Sequence, residues 1–204
     1  MKPLSGASGH ATEMRLAIVN ALDSIMANSS YDDVSIERIC EVAHISRPTF
    51  YRYFDRKDDI FPWLLHHLAY LGTYRIGKSL TWYEGDLATT SGMMRYRNIV
   101  RGQGRARQND STFEAECRIY EEYFLTTLAL DHELALDRRL RVQVRAAVLA
   151  RIDLLSHWAD DGMPFPVEEL AELMSAVVPE PLFGILNNPP QRAGALTTED
   201  PDTA

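Results

Sequence analysis

Three features of the 204-residue sequence place it in the all-α class. Apolar residues recur at three- and four-residue steps through most of the chain, the period of a helix with one buried face. No stretch alternates apolar and polar residues as a half-buried strand does. Serine and proline stand where helix starts are favoured, at Ser35, Ser46 and Pro48. A hydrophobic content of 46% supports a core, and the length accommodates one small and one moderate domain.

The elements follow in order. Residues 11–29 carry Met14, Ile18, Ala21, Leu22, Ile25 and Met26 as one stripe. Ser35 is an N-cap for a second helix whose apolar face is Ile36, Ile39, Cys40 and Ala43. His44-Ile45-Ser46 has the length of a turn that sets two helices at a steep angle. Ser46 then caps a third helix, with Pro48 in its first turn, where a missing amide costs little. Phe50 and Phe54 share the buried face of that helix; Pro48, Thr49 and Arg52 point away, and Arg47 and Tyr51 flank the boundary.

Such a short, rigid helix with a charged, hydroxyl and phenolic surface suits a phosphate-lined groove. Arg47 has the planar fork that takes guanine O6 and N7 together. Thr49, Tyr51 and Arg52 have the reach for phosphate oxygens, and Lys57 is placed for another. The residues Ser46, Pro48, Thr49, Tyr51, Phe54 and Lys57 stand as S-x-[GP]-T-x-Y-x-x-F followed by lysine. Upstream, Ser35, Ile39-Cys40 and Ala43-His44-Ile45-Ser46 follow a hydroxyl, I-A, A-G-V-S pattern. Over this first quarter the chain resembles the TetR family of ligand-responsive transcriptional repressors. Cys40 replaces the usual alanine, and His44 replaces a turn glycine that often has positive φ. Histidine tolerates that region better than most residues, so the turn is expected strained but intact.

The resemblance implies an N-terminal three-helix helix-turn-helix DNA-binding domain at 11–56, after a flexible lead-in at 1–10. A C-terminal helical ligand-binding and dimerisation domain follows at 57–187, with a disordered tail at 188–204. The implied DNA contacts are Ser35, Ser46, Arg47, Pro48, Thr49, Tyr51, Arg52 and Lys57. The implied partners are a pseudo-palindromic double-stranded operator, a second copy of the chain and a small inducer. In that scheme the ligand tilts the helix after Lys57 and lowers operator affinity. A DNA-organising or protein-docking module of the same fold, without an inducer, is the alternative.

In the second domain a long helix is expected from Arg56 or Lys57 towards Tyr83, with Ile60, Trp63, Leu64, Leu68 and Leu71 facing inwards and a kink at Pro62. Glu84-Gly85-Asp86 is expected to break it. Further helices are expected at 87–100, 113–130, 133–159 and after Pro166, with Pro179 and Pro181 interrupting the last before 182–186. The last two long helices are the natural dimer surface. Trp82, Met93, Tyr96, Phe113, Tyr120, Phe124 and Trp158 combine bulk with polar handles, and together they favour an apolar pocket with a few hydrogen-bonding points. The ligand expected there is small and largely apolar. The arginines at 95, 97, 101, 105 and 107 read as a solvated face pairing with Asp110, Glu114 or Glu116, and alternatively as the entrance for a carboxylate or acyl-coenzyme A. A second DNA contact there is set aside because the run lies in the second domain.

Other classes find little support. His66, His67, His132 and His157 have no metal-ligand spacing, and no nucleophile elbow or phosphate-binding glycine loop occurs, so neither catalysis nor a cofactor is expected. Cys40 and Cys117 suit a reducing cytoplasm; Cys117 reads as a structural thiol, with redox sensing as the alternative. No run approaches the roughly 20 apolar residues of a membrane span. The net charge of −8 argues against bulk coating of DNA and for specific binding through the local cluster of Arg47, Arg52, Arg56 and Lys57.

Overall fold

The computed structural model describes residues 9–104 and 110–190. The tail from 191, most of the lead-in, Arg105 and Arg107 lie outside the described residues. Ten α-helices are described: α1 (Gly9–Met26), α2 (Ile36–Val42), α3 (Arg47–Tyr53), α4 (Ile60–Leu71), α5 (Trp82–Arg95), α6 (Arg97–Gly104), α7 (Asp110–Leu130), α8 (Arg138–Asp160), α9 (Val167–Ala176) and α10 (Leu182–Leu186). Short 3-10 turns occupy Lys57–Asp59 and Thr73–Arg75, and the β-pairing described is one isolated bridge between Ile76 and Leu80. The all-α class is as expected.

The chain divides into two compact units, and the division falls inside α4, between His67 and Leu68. The first unit therefore runs past Arg56. It also takes in Tyr96–Gln103, and with it most of α6. Its core gathers Ile18, Val19 and Leu22 of α1, Ile39 of α2, Phe50 of α3, and Phe54, Ile60 and Leu64, all buried. The physical reason for the placement of α6 is a cap supplied from another helix. The Asp23 carboxylate of α1 accepts from the backbone amides of Asn98 and Ile99, both at 3.1 Å, while the Asn98 side-chain amide donates to the Asp23 carbonyl at 3.2 Å. Two orphan amides at the start of α6 are thereby satisfied by α1. The premise that the arginine run belongs wholly to the second domain does not hold: Arg97 and Arg101 are exposed residues of the first unit.

In the second unit, three expectations need correction. The helix after Lys57 ends at Leu71, not near Tyr83, and Pro62 falls in the first turn of α4. The chain then turns through Thr73–Arg75 and Gly77, whose φ of +78° suits glycine. Glu84-Gly85-Asp86 lies within α5 and does not break it. A capping box explains the restart. The Thr81 amide donates to Glu84 Oε2 at 2.9 Å, and the Glu84 amide returns to Thr81 Oγ1 at 3.3 Å. Gly85 serves a close approach: a Cβ there would meet the Ile76 side chain and come within 3.1 Å of the Gly72 carbonyl. Finally, α8 starts at Arg138 under an Asp137 cap, because Glu133 at φ +55° is not helical.

The second core packs Ile76, Trp82, Phe124, Leu128, Val144, Val148, Leu182 and Leu186. Glu114 pairs with Arg145 at 2.9 Å and with Arg118 at 3.5 Å, so the ion pairs described for it join α7 to α8 and α7 to itself. No described helix is long and apolar enough to cross a membrane.

A Cβ on Gly72 would strike the Gly85 carbonyl and the Thr89 backbone, atoms that cannot rotate away. Gly72→Ala is therefore expected to lower stability by about 1–3 kcal/mol, the usual cost of overpacking. Gly9→Ala, with open space around it, should leave the melting temperature unchanged or slightly raised. Denaturant titration of both variants checks the contrast.

Candidate functional site

The recognition geometry of the first unit rests on one turn. His44 adopts φ +54°, in the left-handed region where glycine is usual. Its amide reaches the Glu41 carbonyl at 3.2 Å, and the Ile45 amide reaches the Cys40 carbonyl at 3.0 Å. These are the two bonds of a Schellman ending to α2. Ser46 follows at once as the N-cap of α3, its hydroxyl accepting from the Thr49 amide at 3.2 Å and lying 2.8 Å from the Thr49 hydroxyl. Ser35 caps α2 in the same way, accepting from the Arg38 amide at 3.1 Å. The strained but intact turn expected from His44 is what the structure has.

Phe50 and Phe54 are buried and tie α3 to the core, with Phe54 meeting Trp63 edge-on at 5.9 Å. The opposite face of α3 is open: Ser46, Arg47, Pro48, Tyr51 and Arg52 are exposed and Thr49 is half-buried. Arg47 pairs with Glu37 of α2 on the surface. A hydrogen bond that it donates to the Tyr51 hydroxyl, and secondarily the Glu37 charge, raise its guanidinium further above its ordinary range. Glu37 is depressed, first by a backbone hydrogen bond and then by Arg47. Residue spacing alone did not single out Glu37 as the partner of Arg47.

Lys57 stands apart from the other expected DNA contacts. Its ammonium donates to the carbonyls of Tyr31 at 2.6 Å and Val34 at 2.8 Å, and lies 4.1 Å from the Tyr31 ring centroid. The Tyr31 hydroxyl donates to Asp58 Oδ1 at 2.6 Å, and burial with that neighbour pushes the phenol pKa up. Lys57 is thus a bracket between the loop before α2 and the entry to α4. Nothing in the local pattern marks a partner 26 residues away.

Residues 18–62 match the family model described as bacterial regulatory proteins, tetR family. The match identifies this head as similar to the N-terminal domain of the TetR family. The matched segment is the helix-turn-helix head of a DNA-binding transcription regulator. Two solved structures share the fold. One, named dihydroxyacetone kinase operon activator DhaS, is 19% identical with a TM-score of 0.62 over 85% of this chain and 96% of its own. The other, a tetR-family transcriptional regulator from Streptomyces coelicolor, is 19% identical with a TM-score of 0.53 over 81% of this chain and 80% of its own. No curated protein sequence matches the chain.

In the second unit, most residues expected to line a pocket are core. Trp82 is fully buried, its indole donating to the Phe183 carbonyl at 3.3 Å and its ring 5.1 Å from Phe124. Trp158 donates to the Phe165 carbonyl at 3.0 Å. Met93 is buried in α5, and Phe113 packs half-buried on the same core as Trp82. Tyr96 is buried in the first unit, apart from the others. Tyr120 lines a cavity of about 30 Å³, as do Thr73, Thr89 and Arg151; the other six do not. Sequence reasoning missed Arg151, although a charge in register with the α8 stripe Val144, Ala147, Val148 and Ile152 was a signal. Arg151 is buried and paired with Asp86. Desolvation pushes the Asp86 carboxyl up and the guanidinium opposes it. Because arginine keeps its charge, a neutral Asp86 would leave a buried cation unopposed, and the pair is ionised.

Three of the histidines raised as candidates have structural contacts. His132 Nε2 donates to the Gly77 carbonyl at 2.7 Å, His157 sits exposed beside Asp153, and His67 stacks on Trp63 at 5.0 Å. Burial raises the Cys117 thiol pKa, which disfavours a reactive thiolate.

His44→Gly should hold or raise the melting temperature by relieving the left-handed backbone, whereas His44→Val should lower it, since a β-branched residue is a true outlier there. Ser46→Ala should cost about 1 kcal/mol through the lost cap. Thermal melts monitored by helical circular dichroism order the three variants.

Proposed function

We propose that the chain is a homodimeric repressor that holds a pseudo-palindromic operator and leaves it when a small, largely apolar ligand binds the second unit. The observation that carries the DNA half is the open face of α3 behind a buried Phe50. Arg47 is the base reader. Its exposed pair with Glu37 is screened by solvent, so a guanine edge displaces it at little cost. Thr49, Tyr51 and Arg52 take phosphates, with the exposed hydroxyls of Ser35 and Ser46 and the ring of Pro48 fitting the same groove wall. Lys57 supports the head through its bracket, and its contribution to DNA is one of position. The net charge of −8 makes non-specific affinity weak, so tight binding needs two heads on half-sites about 34–36 Å apart or a multiple of that.

The dimer reading is supported by exposed apolar side chains on the helices expected to pair: Val142 on α8, and Leu173 and Val177 on and just beyond α9. Ligand release is a shift between two dimer states, and requires a ligand that prefers the one unable to hold DNA. Repression is the sign the family resemblance implies. The DhaS name shows that a protein of this fold can also be called an activator, and an operator–reporter fusion in a deletion strain decides the sign here. The cytoplasm is the compartment this function requires.

One observation favours a second reading, a module of the same fold with no inducer. The cavity that Tyr120 and Arg151 line, about 30 Å³, is far below the roughly 300–1,000 Å³ of typical ligand sites. Genome-wide footprinting separates the two readings by a few palindromic sites against many dispersed ones.

In a gel shift at moderate salt, Arg47→Ala with Tyr51→Phe should weaken operator binding about tenfold or more. Undiminished binding would remove α3 as the reader. Lys57→Met should lower the melting temperature while leaving the salt slope of DNA affinity unchanged. A slope smaller by about one would mean that Lys57 contacts a phosphate after all.

A further inference from the structure

Buried charge is uncommon because an ion removed from water needs partners to replace the solvent. The second unit contains such a pair, Asp86 of α5 and Arg151 of α8, with relative exposures of 0% and 4%. One terminal nitrogen of Arg151 bonds Asp86 Oδ1, and the guanidinium lies over the rings of Trp82 and Phe124, 4.8 and 5.5 Å from their centroids. The Nε of Arg151 is buried with no hydrogen-bond partner, and so is the Oδ2 of Asp86. Buried donors in native proteins are almost always satisfied by protein, water or ligand. Arg151 also forms part of the wall of the small cavity, together with the hydroxyl pair Thr73–Thr89 (3.0 Å), Tyr120, and the apolar Ile152 and Met174.

We infer that this cavity is the closed form of a ligand subsite. It receives the neutral, hydrogen-bond-accepting head of a largely apolar molecule, a ketone, ester or amide carbonyl, with Arg151 as the donor. The inference rests on the ligand-responsive reading above and specifies its chemistry. Charge decides against an anion. Asp86 already neutralises Arg151, so a carboxylate would bring a second negative charge towards one positive one. A cation would have to sit against the guanidinium. A neutral acceptor satisfies the donor and adds no charge, while Val148, Ile152, Leu155 and Met174 match an apolar body. The present volume is close to that of one water, so the body enters by displacing side chains. Met174, unbranched and with three rotatable bonds, is the most readily moved part of the wall.

The test uses the full chain and three probes of similar size at equal millimolar concentration: acetophenone, benzoate and ethylbenzene. Binding is read by the melting shift and by the Nε–H resonance of Arg151 in ¹⁵N-arginine-labelled protein. Acetophenone is expected to move that resonance and to bind about tenfold or more tightly than either of the others. In Arg151→Met with Asp86→Leu, which removes both charges together and so leaves none unpaired, acetophenone and ethylbenzene should bind alike. Should that variant not fold, the wild-type resonance still decides. Preference for benzoate, equal binding of acetophenone and ethylbenzene, or a resonance unmoved by any probe (a site for water only) would each overturn the subsite. A lipophilic compound that lowers DNA affinity without moving the resonance would overturn the subsite alone. Failure of every compound in a broad lipophilic library to alter DNA affinity or melting would overturn the ligand-responsive reading itself.

Discussion

The left-handed backbone at His44 is the constraint on which the DNA-reading head depends. It lets α2 close with its last carbonyls satisfied, and it turns the chain so that Ser46 caps α3 two residues later. With both ends of the turn hydrogen-bonded, the direction of α3 is fixed by backbone geometry before any side chain packs. Phe50 and Phe54 then lock one face of the helix into the core, and the face carrying Arg47, Tyr51 and Arg52 has nowhere to go but solvent. A non-glycine residue there costs of order 1 kcal/mol, which the surrounding core of Ile18, Leu22 and Ile39 offsets.

Two further devices stabilise that head, and both act across long sequence separations. Lys57 joins the loop at Tyr31–Val34 to the entry of α4 through two carbonyls and a ring face. Asp23 caps α6 from α1 and so recruits a helix from the middle of the chain into the N-terminal unit. The first gives a lysine expected at a phosphate a structural tie within the head. The second means that α6 enters and leaves the unit that reads DNA, while α5 and α7 on either side belong to the other unit.

Local chemistry was readable wherever a local rule governs. The caps at Ser35 and Ser46, Pro48 in the first turn of α3 and the positive φ at His44 all follow from residues within a few positions of one another. The misreading at Glu84-Gly85-Asp86 has a different origin. Glycine reads locally as a helix breaker, but Gly85 is small because Ile76 and the Gly72 carbonyl press against it, a demand of tertiary packing. The local signal that the expectation lacks is the Thr81–Glu84 capping box that starts α5. Likewise Trp82, Phe124 and Trp158 carry polar handles or bulk suited to a pocket, yet the indoles bond carbonyls of their own core. Composition cannot distinguish an aromatic residue facing a cavity from one filling it. Arg151 is the more telling residue, a charge on an apolar stripe, and it borders the cavity, as Tyr120 does.

Binding selection of the purified protein from a random duplex library, with the stoichiometry of the selected complex measured by mass photometry, tests the central claim most directly. A TetR-family head presented in duplicate should enrich a sequence with dyad symmetry, bound by two chains or a multiple of two. Recovery of no enriched sequence, or of one bound by a single chain without symmetry, would contradict it.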